Sequence, residues 1–189
     1  MTQETEKALL RKRLIEQRTF LYNKDSKKNI DQEALKLFTG LISEMKPKSV
    51  GLYKNFSSEL DTKAFDNFVR TANIQVCYPK IQDNAMIFIE SHAPDAFIKG
   101  KEGFLEPITN NIIATPDLIL TPALAADKHM NRLGYGRGYY DKYIANNNNA
   151  SYFVCMILKN FLLDLLPTDS WDSKIHKVIA INVPTVNTL

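Results

Sequence analysis

The sequence predicts an α/β protein built on one open, largely parallel sheet with helices on both faces. Three observations carry this. Segments with helical spacing alternate along the 189 residues with short apolar or β-branched runs. Several of those runs are continuously apolar and read as buried strands. A basic, glycine-rich loop follows one of them and leads into a helix, at the strand end where such sheets bind ligands.

In order, residues 6 to 22 read as a helix. So do 30 to 45, where Ile30, Ala34, Leu37, Leu41 and Met45 keep helical spacing. Ser49 to Phe56 is a strand, followed by a loop at Ser57-Ser-Glu-Leu60, and Asp61 caps a helix running to Thr71. Strands follow at Gln75–Pro79 and Met86–Glu90, then a looser segment through Phe104-Leu-Glu-Pro107. Asp117-Leu-Ile-Leu-Thr-Pro-Ala-Leu-Ala125 is a buried strand, and Tyr139 to Ala145 a short helix. Asn146 to Asn149 form a polar turn too short to link domains. Tyr152–Leu158 and Val178–Val183 complete the strands, and no internal repeat occurs.

The composition supports one domain spanning residues 1–189. Hydrophobic residues at 44% and charged residues at 24% argue against extensive disorder. A net charge of +3 lacks the density of a dedicated nucleic-acid binder. Cys77 and Cys155 sit in apolar runs and are expected as buried free thiols, and no Cys-x-x-Cys pair exists to bind zinc. The first residues lack a signal-peptide core and no apolar run could span a bilayer, so a cytoplasmic protein with no membrane partner is expected.

The chemistry concentrates in Arg132-Leu-Gly-Tyr-Gly-Arg-Gly-Tyr-Tyr-Asp141. Gly134, Gly136 and Gly138 let backbone amides approach a ligand, Arg132 and Arg137 add positive charge, and Asp141 offers a metal ligand at the helix start. Strand, basic loop and helix N-terminus together suit an anion, phosphate above all. The pattern is not a P-loop, since no Gly-Lys-Ser/Thr follows, nor the G-x-G-x-x-G dinucleotide fingerprint. Two other readings stay open: glycines that only make tight turns, and an RNA-stacking segment in which Tyr135, Tyr139 and Tyr140 interleave with the arginines.

On the first helix, Lys7, Arg11 and Arg18 fall within roughly 40° of one another at about 100° per residue. Leu10, Leu14 and Leu21 continue the arc, so this basic stripe borders the apolar face instead of opposing it. It either faces an anionic ligand or is a snorkelling margin. Glu59, alone in a loop, and Asp172, in Asp169-Ser-Trp-Asp172, would each be ordinary solvated carboxylates by themselves. Asp172 gains interest as a partner for Asp141, because Mg²⁺ on a nucleotide takes one or two carboxylates plus phosphate oxygens and water. His92, His129 and His176 show no ligand spacing and are expected at the surface or behind a site.

Together these residues resemble the 5-formyltetrahydrofolate cyclo-ligase family, also called methenyltetrahydrofolate synthetase. The decamer 132–141 matches the family's R-L-G-x-G-x-G-Y-Y-D signature without a gap. Lys7-x-x-x-Arg11, Glu59-Leu-Asp-Thr62, Cys77-Tyr-Pro-Lys80, Leu105-Glu-Pro107 and Asp117-Leu-Ile-Leu-Thr-Pro122 fit in order and spacing. The resemblance covers nearly the whole chain. It implies a Rossmann-like single domain, expected as a monomer, that converts 5-formyltetrahydrofolate and ATP, with Mg²⁺, to 5,10-methenyltetrahydrofolate, ADP and phosphate. It implies no nucleic-acid partner.

By position, the resemblance assigns ATP contacts to Lys7, Arg11, Arg132, Leu133, Gly134, Tyr135, Gly136, Arg137, Gly138, Tyr139 and Tyr140. Folate contacts fall to Arg11, Glu59, Tyr135, Gly136, Arg137, Gly138 and Tyr139, Mg²⁺ ligation to Asp141 and Asp172, and catalytic roles to Arg132 and Tyr139. This chain departs from the family in three places. Trp171 stands where a polar residue often precedes the second aspartate, and His176 replaces a common further aspartate. Ala125-Ala126-Asp127 replaces an Ala-aromatic-Asp element, which implies a smaller wall of the folate pocket.

Overall fold

A computed structural model describes residues 3–56, 58–92, 96–108 and 112–182, with the side chains of residues 24 and 25 left aside. Ser57 and Val183, which the sequence puts in a loop and a strand, lie outside the described residues.

Two long helices open the chain, α1 (Gln3–Leu21) and α2 (Lys24–Met45). The second starts six residues before its apolar spacing becomes visible. Asn23 initiates it: its Oδ1 accepts from the Ser26 amide at 3.2 Å and its carbonyl from the Lys27 amide at 2.9 Å. The first turns are polar, so hydrophobic periodicity misses them. Next come β1 (Ser49–Gly51), α3 (Lys63–Thr71), β2 (Gln75–Gln82), β3 (Ala85–Ser91), β4 (Phe97–Lys99), β5 (Leu105–Pro107) and β6 (Ile113–Ala114). The chain continues through β7 (Leu118–Thr121), β8 (Ala125–Asp127), β9 (Arg132–Leu133), α4 (Tyr139–Asn147), β10 (Tyr152–Leu158), β11 (Leu162–Leu163) and β12 (Lys177–Ile181).

The main sheet has seven strands in the order β12-β10-β7-β1-β2-β3-β6. Pairing is parallel from β12 to β2 and antiparallel at β2–β3 and β3–β6. Both faces are covered. Tyr143 of α4 packs edge-on against Phe88 of β3 and Phe153 of β10. Register puts Gly51, Cys77 and Ile119 on that same face. A Cβ on Gly51 would lie 2.8 Å from the Phe88 ring, so only glycine fits beneath it. Val50, Val76 and Leu118 point the other way and are equally buried. That side carries α2 and α3, which lean on β12 and β2 and join through the stacked rings of Phe38 and Phe65, 4.4 Å apart.

Several boundaries differ from the sequence expectation. The strand at Ser49–Phe56 is only three residues long, because after Gly51 the chain leaves the sheet toward a cavity that Tyr53, Lys54 and Phe56 line. Asp61 is not the cap of α3: Thr62 holds that position, and Asp61 accepts from the Lys63 amide at 3.0 Å. The run 117–125 is not one strand. Pro122, which lacks an N–H, ends β7, and the chain enters a second sheet, β11-β8-β9. Asn146 and Asn147 still belong to α4. The last strand is half-buried over most of its length, as an edge strand must be. Phe104-Leu-Glu-Pro107 contributes to a hairpin, β4 with β5. Cys77 and Cys155 are buried free thiols.

Candidate active site

Pro122 diverts the chain out of the main sheet at the carboxyl end of β7, and the β8–β9 hairpin then delivers Arg132 at the lip of a cavity of about 300 Å³. Asp127 sets the hairpin turn. Its buried carboxylate accepts from the amides of His129 at 2.8 Å, Asn131 at 3.0 Å and Leu166 at 3.0 Å, and from Asn131 Nδ2 at 2.8 Å. Ala125, Ala126 and Asp127 do not line the cavity.

The glycine loop follows. Gly136 (φ +97°) and Gly138 (φ +71°) occupy backbone space closed to most L side chains. A Cβ on Gly136 would approach Arg11 Cζ to 3.1 Å. Gly138 caps α4 without a side chain, so the first helical amides face outward with no capping oxygen of their own.

Every residue assigned to the site from the sequence lines this one cavity: Lys7, Arg11, Glu59, all of 132–141, and Asp172. Helix α1 supplies its cations along one stripe. Arg11 Nε donates to the Gly134 carbonyl at 2.9 Å. Lys7 Nζ bridges Asp169 and Asp172 at 2.5 Å each, with its own side chain 5% exposed. Burial alone would lower the Lys7 pKa, but the two aspartates raise it above the ordinary lysine value and keep the charge.

Arg132 is buried beneath the loop. Its Nη2 donates to Asp141 Oδ1 at 3.0 Å, its guanidinium lies over the Tyr140 ring at 5.4 Å, and its Nε has no partner among the described residues. Asp141 Oδ1 also accepts from the Ser173 amide at 3.3 Å, which ties α4 to the 169–173 segment. Asp141 and Asp172 therefore each carry a cationic neighbour. Each keeps one carboxylate oxygen without a hydrogen bond among the described residues.

The opposite wall is less charged. Glu59 is 5% exposed, and its Oε2 accepts from the Phe56 amide at 2.7 Å across a tight turn. Burial pushes its carboxyl up to about 7, against the opposing pull of the Phe56 amide and the Arg18 charge. The solvated-loop reading of Glu59 is thus overturned. Tyr139 and Arg137 turn toward the β4–β5 hairpin, where Glu102 accepts from Tyr139 Oη at 3.0 Å and pairs with Arg137 Nε at 3.0 Å. Tyr135, Tyr139 and Tyr140 are partly buried against the core, and all three line the cavity.

Sequence reasoning did not find Lys54, Phe56, Met86, Glu102 or Phe104, which also line the cavity. Only Lys54 carried a signal, a lysine near the carboxyl end of the strand expected at Ser49–Phe56. Among the departures, Trp171 is 71% exposed. His176 accepts from the Phe153 amide at 3.0 Å and stacks against Tyr152 and Phe153, away from the cavity lining.

The sequence profile of the 5-formyltetrahydrofolate cyclo-ligase family matches residues 3–181. The chain belongs to that family. It is 29% identical over 175 residues to the 5-formyltetrahydrofolate cyclo-ligase of Haemophilus influenzae, covering 85% of this chain and 88% of the relative. A solved 5,10-methenyltetrahydrofolate synthetase from Mycoplasma pneumoniae is 27% identical, with TM-score 0.69 over 92% of this chain and 97% of that one. The NMR structure of the Aquifex aeolicus 5,10-methenyltetrahydrofolate synthetase shares the fold, with TM-score 0.79 at 24% identity over 94% of this chain and 90% of that one. As a cyclo-ligase family member the protein is a ligase, and its α/β sheet is the one its structural relatives have. No helix among the described residues is long and apolar enough to cross a membrane.

Proposed function

We propose that this ligase uses ATP to close the ring of 5-formyltetrahydrofolate, giving 5,10-methenyltetrahydrofolate, ADP and phosphate. The observation that carries the reading is a single cavity with two chemically distinct walls. One wall has glycine amides, a helix N-terminus, Arg132, Arg11 and Lys7, which suit the phosphates of a nucleotide. The other has Glu59, Phe56, Met86 and Phe104, which suit a flat heterocycle with polar edges.

In this reading the formyl oxygen attacks the γ-phosphorus and ADP leaves. The neighbouring folate nitrogen then attacks the formyl carbon and loses its proton, and the phosphorylated oxygen departs as phosphate. The chemistry needs positioning and charge neutralisation more than a strong base. Arg132, held by Asp141 and the Tyr140 ring, presents a fixed positive charge at the phosphate wall. Tyr139 and Arg137, both lining the cavity and both bound to Glu102, are assigned to hold the formyl group against the nucleotide.

Mg²⁺ bound with ATP supplies further neutralisation. Asp141 and Asp172 fit it, because a nucleotide-bound Mg²⁺ needs few protein ligands and each carboxylate has an oxygen to offer. Asp141→Asn should lower turnover by about 10²-fold at limiting Mg²⁺, with partial recovery at high Mg²⁺. Unchanged activity at limiting Mg²⁺ would remove Asp141 from the site. The reading takes the enzyme to act as a monomer in the cytoplasm.

The direct test follows near-ultraviolet absorbance of the purified protein with 5-formyltetrahydrofolate, ATP and Mg²⁺. A methenyl signal that requires all three components is expected. Folded protein that binds ATP yet gives no signal would overturn the choice of acceptor.

A further inference from the structure

Helix α1 places a third cation on the same stripe as Lys7 and Arg11, and it does not line the cavity. Arg18 is 6% exposed and each of its three nitrogens is committed to a different segment. Nε donates to Ser58 Oγ at 3.0 Å, in the turn that carries Glu59. Nη1 donates to the Ala123 carbonyl at 2.6 Å, in the link between β7 and β8. Nη2 donates to Tyr135 Oη at 2.5 Å, in the glycine loop, and the guanidinium carbon lies 5.9 Å from that ring.

These acceptors are uncharged and lie 40, 105 and 117 residues away along the chain. A planar guanidinium can address three such directions at once, and a lysine ammonium on its flexible stem cannot hold them in one plane. We propose that Arg18 is a positioning residue for the folate-side wall, fixing Glu59 and Tyr135 at a set separation before substrate arrives. The proposal deepens the function proposed above and rests on it for its kinetic readout.

The charge of Arg18 matters as well as its fork. Glu59 is faced by Arg18 from α1, by Tyr53 beyond β1, and by Tyr135 and Tyr140 from the loop and α4. Arg18 is the cation of this set, and it holds the buried Glu59 carboxyl lower than burial alone would leave it.

The experiment compares Arg18→Lys and Arg18→Met with wild type, varying the formyl substrate and ATP separately. Loss of the fork should raise KM for the formyl substrate about tenfold in both variants while ATP KM changes by less than about twofold. In Arg18→Met alone, the inflection that Glu59 imposes on the pH profile of kcat/KM should move upward; a residue that merely supports the fold would lower the whole profile without moving it. Equal rises in both KM values, or an inflection unmoved in Arg18→Met, would overturn the proposal.

A second measurement needs no turnover. Unfolding of Arg18→Lys, Tyr135→Phe and the double variant should be non-additive, because the two substitutions remove one shared contact. Additivity would overturn the proposal even if the methionine variant does not fold. Absence of wild-type turnover would instead overturn the assigned reaction, leaving the cycle to decide on Arg18.

Discussion

At the scale of single residues, the site sets buried charges against chosen partners. Arg132 lies under the glycine loop with one nitrogen on Asp141 and another unpartnered, aimed at no group among the described residues. Truncating it removes a charge-assisted donor from the proposed phosphate wall and strands Asp141. Arg132→Ala should weaken ATP binding by about 10- to 100-fold. Calorimetry with ATP checks this, and unaltered affinity would end the phosphate role of that arginine. Glu59 gives a pH signature. Its folded pKa of about 7 lies above the ordinary 4.5, so the folded state binds the extra proton between those values. Stability from this group is fully present below pH 4.5 and falls as pH rises through about 7, by about 3 kcal/mol. Glu59→Gln should flatten that part of the stability profile, measured by denaturant unfolding at several pH values.

At the scale of elements, the glycine loop is the piece whose backbone allows least substitution. Gly136→Ala places a Cβ against Arg11 at positive φ, and should cost about 1–2 kcal/mol in unfolding free energy while loosening the proposed ATP site. Thermal unfolding with and without ATP separates the two effects. This loop was also the most legible part of the chain, because its residues are contiguous and their types constrain one another. The walls around it were less so. Glu102 meets Tyr139 and Arg137 across 37 and 35 positions only because β4 and β5 form a hairpin, and the sequence there showed merely a loose segment. Glu59 looked like a solvated loop residue because nothing local reveals that Arg18 and Tyr135 close over it. Pro122 did carry a signal for the break in the 117–125 run, through its missing N–H, and the uninterrupted apolar character masked it. The sheet itself was legible from periodicity, with errors at strand ends where turns and register decide.

At the scale of the whole molecule, α1 is tied to the rest of the fold through its cations. Its apolar stripe is thin, with Leu14 the buried hydrophobic residue, while Lys7 and Arg18 are buried beside it. Lys7→Ala would leave Asp169 and Asp172 adjacent with their shared cation gone, and should destabilise the fold by about 1–3 kcal/mol. Hydrogen exchange should then quicken in α1 and in residues 169–173 before it quickens in β7 or β10, which lie in the sheet interior. Exchange that rises uniformly would show that α1 is not a separately opening unit.

The pairing of Lys7 with Asp169 and Asp172 spans 162 and 165 residues. A ribosome making this chain therefore releases α1 well before the two aspartates that anchor it. Until residues 169–172 emerge, Lys7 lacks both of its carboxylate partners, even though Arg11 and Arg18 can already reach residues 58–135. The Lys7 end of α1 is thus locked in place only after residue 172 has been added, long after the helix itself has been made.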